Sequence, residues 1–307
     1  MEKQLKGSLI TILGGACWGF SGACGQFLFN NYTLDPIDLT AIRMISAGIL
    51  LTFYNLFTQK KVALNIFKSK KDVLHLLAFG LLGLIPSQFT YLTAIKYSNA
   101  GTATVLEYTG PVLIMIYVSI KTLKWPKRKE VMAVFLAILG TFLLATGGNV
   151  HNMVLSKEGL IWGLLSAVCV ALYTLIPGEL VKKWGSLIVT GYSMLISGGV
   201  ISLVFHKNFI PGDLEFYGTL AIMAIVLIGT ILAYTLYLKG VSLIGPVKAS
   251  MLASVEPVVA TVLSIVWLKT AFYGFSLIGI VCIILTVFLL GKKENKQNLK
   301  GLEKQKT

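Results

Sequence analysis

Four charged side chains within long apolar stretches are the residues of this chain best placed to do chemistry. Arg43, Glu107, Lys248 and Glu256 each lie among Leu, Ile, Val, Ala, Met and Gly residues. A charge at the centre of a bilayer costs about 2.5–3.5 kcal/mol on insertion scales, so such a residue is expected to face a bundle interior or a water-filled cavity. The four side chains are therefore predicted to surround a ligand-binding cavity.

The two glutamates are the strongest of these candidates. Glu107 and Glu256 each fall well inside an apolar run, and a short carboxylate at that depth cannot reach the water interface. A carboxyl group in a low-dielectric site holds its proton more tightly than in water, so it can exchange protons near neutral pH. Both are predicted to bind substrate or protons.

The two basic residues have two interpretations each. Arg43 lies at a depth similar to that of Glu107, which permits an ion pair between them or joint binding of a zwitterion. Its alternative role is structural, as a partner of Glu107 or of backbone carbonyl groups. Lys248 enters its helix near one membrane face, so it either lines the same cavity or extends its ammonium group to the interface.

Aromatic residues add a second set of candidates. Trp18 falls mid-membrane, where its ring would stack on a ligand or contact a cationic group, or else pack in the core. Tyr108 and Tyr234 are predicted to reach the cavity. Tyr91 and Tyr237 are assigned instead to the belt of aromatic residues at the membrane interface.

The composition identifies the elements that must position these residues. Of 307 residues, 55% are hydrophobic and only 13% are charged, whereas soluble domains carry about a quarter charged residues. A membrane-spanning helix needs about 20 mainly apolar residues. Ten such runs are predicted, over 8–29, 37–57, 73–95, 99–120, 129–147, 158–177, 186–205, 215–239, 246–268 and 271–291. The sequence thus predicts an all-α membrane protein with ten transmembrane helices.

The net charge of +14 is unevenly distributed between the two sides of the membrane. On the ten-helix topology, most of the 27 Lys and Arg residues fall in loops on one side, and only Lys96, Lys157, Lys207 and Lys269 fall on the other. Cytoplasmic loops carry the excess of Lys and Arg. Both termini are therefore predicted to be cytoplasmic, and the charge predicts membrane orientation rather than nucleic-acid binding.

The sequence also contains an internal repeat. Residues 7–28 align without a gap with 159–180, and residues 91–111 align with 237–257. The two offsets differ by only six residues, which predicts a five-helix unit that occurs twice. Because five is odd, the second unit enters the membrane from the opposite side, and inverted repeats of this kind are typical of carriers with a site near the midplane.

The repeat sets the predicted domain organisation. Residues 1–148 form the first unit, 149–291 the second, and 292–307 a basic cytoplasmic tail. Pro111 and Pro257 occupy matching positions in the fourth and ninth helices. Proline frees a backbone carbonyl and bends a helix, and matched interruptions in two halves point to a transport site. The alternative is that both kinks serve packing alone.

The chain resembles the EamA branch of the drug/metabolite transporter superfamily. The resemblance rests on Trp18 with Gly19, on Arg43, and on the segments TATVLEYTGPV and KASMLASVEPVVA of the fourth and ninth helices. It implies a secondary carrier in the cell membrane that exports amino acids or other small metabolites by alternating access. It also implies a central cavity lined by helices from both halves.

Other functions receive less support from the residues. A membrane-embedded enzyme would need clustered His, Asp or Ser groups within the helices, whereas all four Asp lie in loops or at helix ends. A channel remains an alternative to a carrier. No phosphate-binding loop, metal site or cofactor is indicated. The expected partners are a small-molecule substrate, the lipid bilayer and protons, with the chain acting as a monomer or a homodimer.

Overall fold

The computed structural model describes residues 2–123, 128–148, 154–205, 214–272 and 274–291. Every regular element within them is helical, which confirms the all-helical prediction. The basic tail 292–307 lies outside the described residues. The α-helices, in chain order, are α1 (Glu2–Asn31), α2 (Pro36–Thr58), α3 (Lys60–Asn65), α4 (Lys70–Ala78), α5 (Ile85–Tyr97), α6 (Ala100–Glu107), α7 (Gly110–Thr122), α8 (Arg128–Thr146), α9 (Lys157–Leu175), α10 (Gly178–Trp184), α11 (Ser186–Phe205), α12 (Phe216–Ala224), α13 (Ala233–Ile244), α14 (Pro246–Leu252), α15 (Val255–Val266) and α16 (Gly274–Gly291).

Eight helical stretches among the described residues are long and apolar enough to cross a membrane. They are Glu2–Asn31, Pro36–Thr58, Lys70–Tyr97, Ala100–Lys121, Lys157–Leu175, Ser186–Phe205, Phe216–Ile244 and Lys248–Val266. Two shorter apolar stretches, Val131–Thr146 and Gly274–Thr286, belong to α8 and α16. These ten stretches correspond in position to the ten predicted runs.

Local sequence explains where several helices begin and end. The Asn99 side chain accepts a hydrogen bond from the Thr102 amide at 2.8 Å and caps α6, and the Ser156 hydroxyl caps α9. Such side chains satisfy amide groups that have no partner within the helix. Gly185 and Gly245 follow α10 and α13 with φ of 86° and 85°, a conformation that favours glycine.

Two membrane stretches contain π-helical segments at corresponding positions. The first π segment covers Phe79–Leu84 and joins α4 to α5, and the second covers Ile225–Leu232 and joins α12 to α13. Their first residues are separated along the chain by the same interval as the matched residues Tyr91 and Tyr237. π-Helical turns are rare and occur often at functional sites.

Two further stretches are interrupted at corresponding positions. The break between α6 and α7 lies at Tyr108 and Thr109, and the break between α14 and α15 lies at Ala253 and Ser254. Pro111 falls in the first turn of the helix after the first break, and Pro257 does the same after the second. Proline is tolerated there because amide groups in the first turn have no intrahelical partner. The two helices are thus interrupted close to where kinks were predicted, a few residues before each proline.

The packing relates the two halves, before and after residue 148, in a reciprocal way. Helix α1 packs against α13 and α15 of the second half, and its counterpart α9 packs against α5, α6 and α7 of the first half. Helices α2 and α11 pack together, as do α8 and α16. In the interior of the protein, helices of each half therefore pack against helices of the other.

Two glycines allow α1 to approach α15 at the break. A Cβ atom at Gly15 would lie 2.5 Å from the Ala253 carbonyl oxygen, and one at Gly19 would lie 2.6 Å from that of Glu256. Both distances are too short for any larger residue. This close approach holds the start of α15, and with it Glu256, against α1.

Candidate functional site

A small central cavity lies where the two halves meet. Its volume is about 20 Å³, which has room for one or two water molecules. The lining residues come from α1, α2, α5, α6, α9, α13 and α15, and they are Trp18, Ser21, Arg43, Ser87, Gln88, Tyr91, Glu107, Val170, Tyr173, Tyr234 and Glu256. An adjoining cavity of about 10 Å³ shares Trp18, Glu107, Val170, Tyr173 and Glu256 and adds Tyr108, Pro111, Tyr237, Ser250 and Ala253.

Arg43 is fixed to the second π segment. Its side chain is 2% exposed, with Nε donating to Thr230 Oγ1 at 3.0 Å and Nη2 donating to the Gly229 carbonyl at 3.2 Å. These bonds use two of the five N–H donors of a guanidinium group. The guanidinium therefore combines the predicted structural role with a position in the cavity wall.

The two glutamates are buried at the two helix breaks. Glu107 is the last residue of α6 and is 8% exposed, whereas Glu256 is the second residue of α15 and is 3% exposed. Among the described residues, neither forms a salt bridge with Arg43; the salt bridges there join Lys96 to Asp35 and Lys183 to Asp72. One guanidinium and two carboxyl groups thus line the cavity without a salt bridge between them.

Tyr108 connects the two breaks directly. Its Oη donates to the carbonyl of Ala253 and lies 3.2 Å from Glu256 Oε2. The side chain is buried and belongs to the break of the first half, whereas both partners belong to the break of the second half. This hydroxyl group therefore forms a direct contact between the first break and the region of the second.

An aromatic cluster, defined as Trp18, Tyr173, Tyr234 and Tyr237, forms part of the wall. The Trp18 ring centroid lies 4.9 Å from those of Tyr234 and Tyr237 and 6.0 Å from that of Tyr173. Trp18 Nε1 is buried, with no hydrogen-bond partner among the described residues. The three tyrosines come from the second half, so the cluster joins α1 to that half.

The structure brings most of the predicted site residues together. Trp18, Arg43, Glu107, Tyr234 and Glu256 line the central cavity, and Tyr108 and Pro111 line the adjoining one. Lys248 is half-buried on α14 and lines neither cavity. The alternative, in which its ammonium group extends to the interface, stays a prediction. Pro257 also lines neither cavity, although it directly follows Glu256.

The assignment of Tyr91 and Tyr237 to the interface is wrong. Tyr91 is 8% and Tyr237 is 1% exposed, and each lines one of the two cavities. Their hydroxyl groups lie 2.9 Å and 3.1 Å from the hydroxyl oxygens of Thr104 and Thr174. The matched position of the two tyrosines in the repeat was the signal that distinguishes them from belt residues.

Sequence reasoning also missed several other lining residues, of which Gln88 and Tyr173 are the largest. Gln88 is a large polar residue in the middle of an apolar run, and Tyr173 lies three residues after Val170, the counterpart of Trp18. Aligning the two repeats pairs Gln88 with Tyr234 and Ser21 with Tyr173. Both pairs line the central cavity. With Tyr234 as a candidate, the repeat alignment would have identified Gln88, whereas Tyr173 is matched with Ser21, which was not a candidate.

Hydrogen bonds of Gln26 join three helical segments on the side predicted to be external. Gln26 Oε1 accepts from the Ala100 amide at 2.8 Å and from Ser264 Oγ at 3.1 Å. Gln26 Nε2 donates to Thr270 Oγ1 at 2.9 Å. These bonds connect the end of α1 to the start of α6 and the end of α15.

A buried acid joins the two halves at the side predicted to be cytoplasmic. The side chain of Asp72 is 8% exposed, and its Oδ2 accepts from Lys183 Nζ at 2.6 Å and from Trp184 Nε1 at 3.1 Å. Helices α4 and α10 are thereby held together. The two cavities, of about 20 and 10 Å³, are too small for a metabolite, so binding of one requires the surrounding helices to move.

No metal centre accompanies these groups in the described part of the chain. Among those residues, no group of three or more His, Cys, Asp or Glu side chains is placed to hold an ion. The polar groups that line the central cavity are one guanidinium, two carboxyl groups, one carboxamide, the indole N–H of Trp18, and serine and tyrosine hydroxyl groups.

Comparison with known proteins places this architecture in a family. The model of the EamA-like transporter family matches residues 5–146 and again residues 157–292. The uncharacterized inner membrane transporter YicL of Salmonella typhimurium (strain LT2) is 36% identical over 295 residues, covering 94% of this chain and 96% of that protein. The uncharacterized transporter YyaM of Bacillus subtilis (strain 168) is 26% identical over 282 residues, covering 87% and 88%.

A solved crystal structure supports the fold independently. It shares 20% identity with this chain and superimposes with a TM-score of 0.67, covering 92% of this chain and 96% of that one. The family match spans both halves of the sequence, and the resemblance drawn from Trp18, Arg43 and the two break segments is confirmed. The chain belongs to the EamA-like transporter family, within the drug/metabolite transporter superfamily, and is a membrane transporter rather than an enzyme.

Proposed function

We propose that this protein is a secondary transporter that exports small zwitterionic metabolites, with amino acids as the first class to test, from the cytoplasm across the inner (plasma) membrane. The observation that carries the proposal is a buried cavity between the two halves, with an arginine and two glutamates that are not paired with each other. Arg43 is suited to bind the substrate carboxylate, and the glutamates its ammonium group.

Charge balance supports a coupled proton. With both glutamates ionised, Arg43, Glu107 and Glu256 carry a net charge of −1, which is unfavourable in a low-dielectric interior. One proton shared by the two carboxyl groups brings the cavity to neutrality. A zwitterion leaves this balance unchanged, so a bound proton is compatible with a bound amino acid.

The geometry at Tyr108 is consistent with that proton residing on Glu256. The Tyr108 hydroxyl group has a single hydrogen, yet it lies within hydrogen-bond distance of both the Ala253 carbonyl and Glu256 Oε2. If the hydroxyl donates to the carbonyl, a protonated Glu256 can donate to the hydroxyl oxygen. Both contacts are then satisfied.

Transport by alternating access fits the reciprocal packing of the halves. The bonds at Gln26 would break for opening to the outside, and those at Asp72 would break for opening to the cytoplasm. We further propose that the chain has ten transmembrane helices in two inverted repeats, 1–148 and 149–291. Matched helix breaks and matched π segments support that arrangement.

Reporter fusions test the proposed topology. Alkaline phosphatase, active outside the cytoplasm, and green fluorescent protein, which matures within it, are fused separately to each terminus. Both termini are expected to give fluorescence and little phosphatase activity, because ten crossings return the chain to its starting side. A fusion in the loop that contains Lys207 is the control and should give the reverse pattern. Phosphatase activity at one terminus alone would contradict an even number of crossings, and activity at both would contradict the predicted orientation.

Counterflow tests the function without assuming a coupling ion. Purified protein in proteoliposomes is preloaded with one unlabelled amino acid at millimolar concentration, and entry of the same labelled compound is followed for each of the twenty proteinogenic amino acids. At least one is expected to accumulate transiently to about tenfold above protein-free liposomes. Equal signals from protein-containing and protein-free liposomes for all twenty would overturn the proposed substrate class.

A further inference from the structure

Gln88 has a buried polar atom that the protein leaves unpaired in the central cavity. The residue is 4% exposed, and its Oε1 has no hydrogen-bond partner among the described residues. Neighbouring polar side chains on α5 are satisfied, since Ser87 Oγ donates to the Leu84 carbonyl and Thr90 Oγ1 to that of Pro86. Buried polar groups nearly always have partners, and Gln88 Oε1 and Trp18 Nε1 are the two buried side-chain atoms without one on described residues that line the central cavity.

Gln88 and its counterpart in the second half occupy corresponding positions in the fold. It lies four residues after the first π segment, and its counterpart after the second π segment is Tyr234. Both line the central cavity. Ser21 corresponds to Tyr173 in the same way. At these two matched positions of the cavity wall, the second half therefore has a tyrosine, whereas the first half has a glutamine or a serine.

The carboxamide of Gln88 differs chemically from the charged groups that line the cavity. A carboxamide oxygen accepts a hydrogen bond but adds no charge, and the cavity already contains two carboxyl groups. An unpaired acceptor of this kind discriminates strongly between ligands that offer a donor and ligands that do not, because the second kind leaves it unpaired.

We propose that Gln88 contacts the substrate and sets its specificity, with the carboxamide oxygen accepting a hydrogen bond from an N–H group of the substrate ammonium. This inference rests on the proposed function, since it assigns part of amino-acid recognition to a neutral residue. Gln88 selects substrates that offer a hydrogen-bond donor to its carboxamide oxygen, while Glu107 and Glu256 balance the charge of the cavity.

Discrimination between paired compounds tests the inference. The probe is the labelled amino acid with the strongest counterflow in the wild-type protein, and the competitors are the unlabelled amino acid and its analogue without the α-amino group. The wild type should prefer the amino acid by at least about tenfold. Gln88→Met keeps the unbranched shape and removes the acceptor, so the preference should fall to about threefold or less, with KM rising more than kcat falls.

Two further variants separate recognition from folding. Gln88→Asn keeps a carboxamide acceptor without adding a charge, so it should retain more of the preference than Gln88→Met. Thr93→Val is the matched control, because Thr93 is buried on the same helix, lines neither cavity and already donates to the Phe89 carbonyl at 2.6 Å. Its preference should equal that of the wild type.

Thermal unfolding in detergent gives a readout independent of transport. Gln88→Met should unfold at the wild-type temperature or above, because it removes an unpaired buried acceptor. A lower unfolding temperature with unchanged preference would identify a structural glutamine and overturn the inference alone. If the wild type transports none of the twenty amino acids, the proposed function fails and this inference fails with it.

Discussion

Replacing Glu256 by Gln is expected to lower proton-driven transport about 10- to 100-fold while the protein still inserts and folds. Gln cannot bind or release a proton, and it removes one of the two negative groups in the cavity. A hydrogen bond to a charged group contributes about 1.5–3 kcal/mol, which corresponds to roughly 10- to 150-fold in rate. The measurement is substrate flux driven by an imposed pH gradient in proteoliposomes, with a pH-sensitive dye in the lumen. Glu107→Gln is expected to act in the same direction.

A matched control exists for the glutamate variants. Glu158 is exposed at the start of α9, so Glu158→Gln makes the same chemical change outside the cavity and should leave flux within about twofold. Wild-type kinetics and pH dependence in both Glu107→Gln and Glu256→Gln would refute their role. Retained counterflow with lost proton movement would show that the carboxyl groups couple transport rather than bind substrate.

Arg43→Ala is expected to reduce counterflow more than 100-fold and to lower the unfolding temperature. The change removes the positive group proposed to bind the substrate carboxylate. It also removes the hydrogen bonds that the guanidinium donates to the Gly229 carbonyl and to Thr230 Oγ1, and a hydrogen bond to a charged group contributes about 1.5–3 kcal/mol. Counterflow should be normalised to the amount of monodisperse protein, and unfolding should be followed in the same detergent.

Two variants distinguish charge from geometry at this position. Arg43→Lys keeps the charge but cannot reproduce the planar set of donors, so its counterflow is expected to lie between those of the wild type and Arg43→Ala. Lys248→Ala should lose less than about threefold, because Lys248 lines neither cavity. A larger loss in Lys248→Ala than in Arg43→Ala would overturn the assignment of these two residues.

The helix breaks show how far sequence reasoning reached. Pro111 and Pro257 are visible as matched prolines, because proline acts on its own backbone and the preceding turn. The residues at which the chain stops being helical are Tyr108 and Thr109 in one half and Ala253 and Ser254 in the other. Those positions depend on bonds that cross between halves, such as that from Tyr108 to Ala253, and a local pattern does not contain them.

The amino-acid sequence by itself determined the membrane-spanning runs, the twofold repeat and the presence of buried charges. These properties depend on the transfer of each segment from water to lipid and on proline chemistry, both of which are local. The tertiary structure alone decided that Arg43 and the two glutamates share a cavity, that Lys248 does not line it, and that Tyr91 and Tyr237 point inward. Successive residues of a helix point about 100° apart, so the direction of each side chain follows from how its helix packs against the other half.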